Sequence, residues 1–158
     1  MMLAYRLVRL IETHSDVLAA SLLKKVQSSP ITKAYIDVPQ EELKQRVSEI
    51  YRHLGEWLLG RSEVEVETRY LEIGARRAHQ GVPLSQLTWA IILTKENLWE
   101  FVKEEMPPDR ALEIFGELEL LRLLERFFDR AIYSAGVGYE VAVSAQASPR
   151  LQPQATSA

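Results

Sequence analysis

A long, proline-free segment near the end of the chain, residues 110–145, constrains the fold more than any other feature of the sequence. Its apolar residues recur at alternating steps of four and three, which is the spacing of a heptad seam along one helix. Glu125 interrupts this stripe, whose members are Ile114, Leu118, Leu121, Phe128, Ile132, Ala135 and Tyr139. The segment is therefore predicted to form one long helix.

The same segment carries more apolar surface than a helix needs for a single core. A second apolar group lies beside the stripe and comprises Leu120, Leu123, Leu124, Phe127 and Ala131. At roughly 100° per residue the two groups cover more than half of the circumference, whereas packing on one core needs a stripe of about 100°. Either the helix is central in its own domain, or the stripe contacts the same helix of a second subunit. We favour the second interpretation and predict a homodimer with these interface residues: Ile114, Leu118, Leu121, Phe128, Ile132 and Tyr139.

Glycine and proline mark the ends of four further helical segments. Apolar spacing predicts helices over residues 3–27, 37–60, 62–81 and 84–105, and no segment shows the alternation of a strand. Ser15-Asp16 is a candidate for a break or a new cap inside the first segment. The predicted fold class is all-α, with five to six helices and a long C-terminal helix.

Length and composition predict a single domain. The chain has 158 residues, of which 47% are hydrophobic, and this is enough for a core that needs neither metals nor disulfides. We assign residues 1–145 to the domain. Residues 146–158 are dominated by Ser, Gln, Pro and Ala, and we expect them to form a disordered tail or a linker.

Charge, cysteine content and hydropathy narrow the classes of partner. The net charge of −3 argues against a nucleic-acid partner, which usually requires a clustered basic excess. The chain has no cysteine, which rules out disulfides and thiolate metal sites and fits a reducing cytoplasm. The longest apolar run, residues 89–93, is too short to cross a bilayer, and the N-terminus lacks a signal-peptide pattern. We therefore expect a cytoplasmic protein without a membrane partner.

Catalytic motifs are absent from the sequence. The three histidines, His14, His53 and His79, are far apart along the chain, and none belongs to a metalloprotease motif. The chain also lacks a nucleophile elbow, a Walker loop and a dinucleotide-binding glycine motif. We predict that the protein is not an enzyme, with no catalytic residues and no metal site.

Four residues are candidates for binding a small ligand: Trp57, Tyr70, His79 and Trp89. A lone histidine such as His79 can hold a haem iron from one side, but a histidine at a helix end more often favours the negative end of the helix dipole. Aromatic residues at helical spacing are likewise more often core than pocket. We expect no cofactor. Arg76 and Arg77 could bind an anion, but a solvated face paired with neighbouring glutamates is the simpler interpretation.

Five stretches together resemble a known family. They are LGEWL at 54–58, RAHQGVPL at 77–84, LWEF at 98–101, FFDRAIY at 127–133 and GYE at 138–140. Their order and spacing are similar to those in the N-terminal sensor domain of the RsbR/RsbRD-type co-antagonists of bacterial stress signalling. Related domains precede histidine kinases.

The resemblance implies a globin-like, all-helical fold that normally carries no haem, a dimer, and a sensory or regulatory role. In such proteins the last helix leads into an output domain, such as an anti-sigma-factor-antagonist domain or a kinase. Here only a short polar tail follows Glu140. We therefore expect either a signalling output domain that lies outside this sequence, or a kinase or anti-sigma-type partner protein. In globin-coupled sensors the iron-binding histidine lies about four residues before the glycine that matches Gly81, and Arg77 occupies that place.

The sequence thus favours a non-enzymatic sensory or regulatory domain in bacterial signal transduction, dimerising through its last helix. Two alternatives stay open: a globin-type sensor that binds haem or a small ligand, and a protein-interaction scaffold without a stimulus.

Overall fold

The computed structural model describes residues 2–58, 63–105 and 111–147, and the side chains of residues 5–58, 64–105 and 118–147. Seven α-helices and one 3-10 helix account for the described residues. They are α1 (Met2–Thr13), α2 (Ser15–Ser28), the 3-10 helix (Pro30–Asp37), α3 (Gln40–Arg52), α4 (Leu54–Leu58), α5 (Glu63–His79), α6 (Leu84–Glu105) and α7 (Ala111–Ala147). The predicted all-α class and the long last helix are confirmed.

The helix count is higher than the predicted five to six because two predicted helices are divided. The first is interrupted at His14, whose backbone N–H lies 3.1 Å from the Leu10 carbonyl and 3.2 Å from the Ile11 carbonyl. The ring Nδ1 of His14 lies 2.8 Å from the same Leu10 oxygen. The second predicted helix is interrupted at His53, where ψ is 8°. Neither break involves glycine or proline, and the segment that follows α2 is a 3-10 helix rather than a loop.

Most other helix ends agree with the sequence within two residues where the structure describes them. Helix α3, however, begins at Gln40 rather than at residue 37, because Asp37 belongs to the 3-10 helix and Pro39 is the N-cap. Helix α6 has the predicted bounds, and α7 continues two residues beyond the predicted end at residue 145. Residues 59–62, where the second predicted helix ends and the third begins, residues 106–110, and residues 148–158 of the predicted tail lie outside the described residues. None of the described helices has the length and hydropathy that spanning a bilayer requires.

The main core forms around the inner face of α7. Its largest fully buried side chains belong to α1, α3, α4, α5, α6 and α7, and include Leu7, Ile11, Tyr51, Leu54, Tyr70, Leu98, Leu120, Leu124 and Phe128. A second, smaller cluster joins α2, the 3-10 helix, α3 and the turn between α5 and α6, and comprises Leu22, Val26, Tyr35, Val38, Leu43 and Val82. The two clusters lie side by side, and the cleft described below lies between them.

Helices α5 and α7 share the most extensive contact in the fold, and two glycines bring their backbones together. A Cβ atom on Gly74 would lie 2.0 Å from the Ala135 carbonyl oxygen. A Cβ atom on Gly138 would lie 2.1 Å from the Leu71 carbonyl oxygen. Real Cβ atoms do not approach backbone oxygens this closely, so any side chain at either position would force the helices apart.

We predict that Gly74→Ala and Gly138→Ala each lower the free energy of unfolding by about 2 kcal/mol or more, as overpacking of a rigid contact does. Gly136→Ala is the matched control, because a Cβ there meets nothing within 4 Å. Its gain in helix propensity should raise stability by up to about 1 kcal/mol. Urea unfolding measures all three variants. Equal effects at residues 136 and 138 would contradict the close backbone contact.

Candidate functional site

A cleft of about 60 Å³ lies between α2, the 3-10 helix, α3, α5 and α6 and is partly open to solvent. Most of its lining is apolar, and the side chains that contribute are Leu22, Leu23, Val26, Leu43, Val47, Ile50, Ile73, Leu87, Ala90 and Ile91. The polar side chains of the lining are Tyr35, Arg46, Tyr70, Arg77 and Thr94. The cleft therefore combines an apolar interior with a small number of hydrogen-bonding groups, which is the usual composition of a ligand site.

Arg77 is the most buried charged residue of this site, with 3% of its surface exposed. Its Nη1 donates to Glu42 Oε1 at 3.2 Å and to Gln80 Oε1 at 2.7 Å, and its guanidinium carbon lies 5.8 Å from the centre of the Tyr35 ring. A buried guanidinium is tolerated only with such partners, because its desolvation is costly. The interpretation of Arg77 as part of a solvated face is wrong, since its partner lies 35 residues earlier in the chain.

Glu42 is the shared acceptor of this polar cluster. Arg76 Nε donates to Glu42 Oε1 at 3.0 Å, and Gln80 Nε2 donates to Glu42 Oε2 at 3.1 Å. The hydrogen bond from Arg76, assisted by the positive charges of Arg76 and Arg77, holds the pKa of Glu42 below its ordinary value of 4.5. Burial raises the pKa of Tyr35 to about 12 although Arg77 acts in the opposite direction, so this phenol stays protonated at neutral pH.

A tight turn connects this cluster to α7. Gly81 has a φ of 75°, and the Val82 N–H donates to the Arg77 carbonyl while the Gly81 N–H donates to the Ala78 carbonyl. These two bonds form the helix C-cap that a left-handed glycine permits. The turn is fixed to α7 because the Tyr139 hydroxyl donates to the Val82 carbonyl at 2.8 Å. The turn that follows Arg77 on α5 therefore contacts the last helix directly.

The four predicted ligand-binding residues do not form one pocket. Tyr70 lines the cleft and is 2% exposed. Trp57 stacks on Phe127 with ring centres 5.9 Å apart, and it lines a separate surface hollow between α4, α5 and α7. Trp89 is half-buried on α6 and is not part of the cleft lining.

His79, the fourth of these residues, is exposed, and its Nδ1 lies 2.8 Å from the Gln146 amide nitrogen. It contributes nothing to the cleft lining, so its position does not fit that of an axial haem ligand inside the fold. Within the described part of the chain, no group of three His, Asp or Glu side chains is placed to hold a metal ion.

The predicted interface residues are distributed around α7 rather than along one exposed face. Leu118 and Leu121 are exposed, at 54% and 36%. Ile132 and Tyr139 are half-buried against the core. Phe128 is 1% exposed and packs edge-on against Phe127 of its own subunit, so it offers no surface to a second chain. The side chain of Ile114 lies outside the described residues.

Sequence reasoning missed Arg46 and Glu42 as site residues, and it assigned Arg77 to a solvated face. Charged residues on a helix predict a solvated face, and their burial depends on contacts between α3 and α5 that no local pattern reveals. The one available signal in the sequence was that Arg77 occupies the place of the iron-binding histidine in globin-coupled sensors.

We predict that Glu42→Gln lowers the free energy of unfolding by about 2 kcal/mol at neutral pH, because it leaves the buried Arg77 without its carboxylate. The pKa of Glu42 is lowered by folding, so its contribution is complete above its ordinary pKa of 4.5 and is lost as the pH falls through the folded-state pKa. Denaturant unfolding at several pH values should show the two proteins converging in acid. Glu41→Gln, an exposed neighbour, should change stability by less than about 0.5 kcal/mol. A Glu42→Gln deficit that is independent of pH would contradict the assignment.

Comparison with known proteins identifies the chain. Residues 6–152 match the family model described as the RsbT co-antagonist protein rsbRD N-terminal domain. No curated protein and no solved structure gives a match. The matched range includes every described helix from α2 to α7, together with most of α1. The chain belongs to the family of rsbRD N-terminal domains of RsbT co-antagonist proteins, which confirms the family that the sequence resembles.

Proposed function

We propose that the chain is a non-enzymatic sensory or regulatory domain of a bacterial stressosome-type signalling system. The family match over residues 6–152 is the observation that carries this proposal, because the family implies a signalling domain of that type. The connection from the cleft through the Gly81 turn to α7 supports it, since a sensory domain needs a physical link between an input site and an output element.

The output surface of this proposal is the outward face of α7. Five exposed apolar residues lie along this helix, namely Leu118, Leu121, Tyr133, Val141 and Val143. Exposed apolar residues that follow one helix indicate an interaction surface more strongly than scattered ones do. We propose that a second copy of the chain covers this face, so that the dimer interface is centred on Tyr133 rather than on the heptad stripe.

Charges on the same face favour an antiparallel arrangement of the two α7 helices. Arg122 and Arg126 lie in the first half of α7, Asp129 lies at its midpoint, and Glu140 lies towards its C-terminal end. A parallel pair in register would place like charges together, which is unfavourable. An antiparallel pair centred near residue 131 places Arg122 opposite Glu140 of the partner subunit. The four charged residues have no ion-pair partner among the described residues of their own chain.

We further propose that the domain acts in the cytoplasm and that its output passes to a separate domain or to a kinase or anti-sigma-type partner. The family supports this class of partner. A change in the packing of α7 would alter the surface presented to such a partner. A second candidate, a sensor that binds a small ligand, is favoured by the apolar cleft and is compatible with the same output.

We predict that the wild-type chain has twice its monomer mass of 18.1 kDa in solution, measured by size-exclusion chromatography with light scattering. Tyr133→Glu should shift it to the monomer, because the variant places a carboxylate on each side of the apolar interface. Ile36→Glu is the control, since Ile36 is 85% exposed on the 3-10 helix and distant from α7 in the chain. A monomeric wild type, or dissociation by both variants alike, would refute the α7 interface.

The orientation of the pair has its own test. Arg122→Glu should weaken the dimer at low salt, where charge pairs are least screened, and Glu140→Arg added to it should restore the association. In a parallel pair the double variant would still place like charges together, so it would associate no better than the single variant. Sedimentation at two ionic strengths distinguishes the two arrangements.

A further inference from the structure

We propose that the cleft between α2, α3, α5 and α6 binds a short-chain carboxylate, with the alkyl group inside the cleft and the carboxylate on Arg46. This proposal names the ligand that the sensory domain would detect, and the regulatory role of that ligand rests on the proposed function. Carboxylate binding does not depend on dimerisation, so an experiment can reject either proposal without rejecting the other.

The volume of the cleft limits the size of the apolar group. An apolar protein cavity of about 150 Å³ accommodates benzene, which has six carbons. A cleft of about 60 Å³ therefore accommodates about two or three carbons on the same scale. A porphyrin or a long alkyl chain is far too large. Because the cleft is partly open, a ligand can keep its polar end at the mouth while its alkyl group is buried.

Two hydrogen-bond donors of the lining have no partner among the described residues, and both favour a ligand that carries hydrogen-bond acceptors. The first is the guanidinium of Arg46, which is half-buried on α3 and makes no hydrogen bond or ion pair there. The second is the hydroxyl of Tyr70, which is 2% exposed. Burial raises the pKa of Tyr70, so this hydroxyl remains a donor. A carboxylate is an acceptor with two oxygens and suits both groups.

The neighbouring charges leave Arg46 available. Glu42, one turn before it on α3, already accepts from Arg76, Arg77 and Gln80. Glu49, one turn after it, pairs with Arg69 at 3.4 Å. Thr94, the other polar residue of the interior, donates its hydroxyl proton to the Ala90 carbonyl at 2.8 Å. The free positive charge at the cleft is therefore that of Arg46, and it attracts an anion.

Occupancy would act on α7 through α5. Tyr70, Ile73 and Arg77 line the cleft from α5, and Gly74 on the same helix contacts the α7 backbone. A ligand can shift an equilibrium between two packings only by binding one of them better. A bound alkyl group that moves α5 away from α3 by a few tenths of an ångström would favour one packing over the other. The rigid contact at Gly74 would then transfer the movement of α5 to α7.

Butyrate is the probe for the experiment, and 1-butanol is its neutral analogue. The change in melting temperature and in amide chemical shifts is measured for the wild-type chain and for Arg46→Gln, Lys44→Gln and Ala90→Leu. Lys44 is the control, because it is an exposed cation on α3 outside the cleft lining. Ala90→Leu fills the cleft without changing its charge.

Butyrate should bind saturably and raise the melting temperature, as a ligand of the native state does. Arg46→Gln should weaken binding by about tenfold or more, which is the effect of losing one charge-assisted hydrogen bond. Lys44→Gln should bind as the wild type does, and Ala90→Leu should not bind. Absence of saturable butyrate binding, equal affinity for 1-butanol, or equal losses in Arg46→Gln and Lys44→Gln would each overturn the proposal. The mass of the unliganded protein tests the dimer separately.

Discussion

The backbones of α5 and α7 touch at two points, where Gly74 meets Ala135 and where Gly138 meets Leu71. This contact sets the distance between the two helices without adjustable side chains, so it has little capacity to yield. The same contact between α5 and α7 brings aromatic residues together around Phe127. The Phe127 ring stacks with Trp57 and meets Tyr70 edge-on. The main core and one wall of the cleft thus depend on the same pair of glycines.

The burial of Arg77 is the second constraint on the fold, and it follows from the backbone contact between α5 and α7. Because α5 is held close to α7, its opposite face turns towards α3, where Glu42 accepts from the guanidinium. The hydrogen bonds of the Gly81 turn then fix Val82, whose carbonyl accepts from Tyr139. The Arg77–Glu42 ion pair, the Gly81 turn and α7 therefore form one continuous set of contacts beside the cleft.

Local signals made much of this fold predictable. The bounds of α6 follow from Gly81 and Pro83 before it, and the length of α7 follows from its apolar spacing. The breaks at His14 and His53 carry no such signal, because neither residue prevents a helix from continuing. Apolar periodicity also does not reveal which side of a helix meets its own core. The heptad stripe therefore includes Phe128, which is buried in its own subunit.

Amide hydrogen exchange under native conditions tests the central claim that α5 and α7 form one unit. The amides of residues 70–78 and of residues 131–142 should share a single opening free energy, because neither helix can unfold while the glycine contact is maintained. Tyr139→Phe should lower the protection of both segments by a similar amount, since it releases the turn from α7. Opening of residues 131–142 at a clearly lower free energy than residues 70–78 would contradict the account, because α7 would then be a separable helix rather than part of one unit with α5.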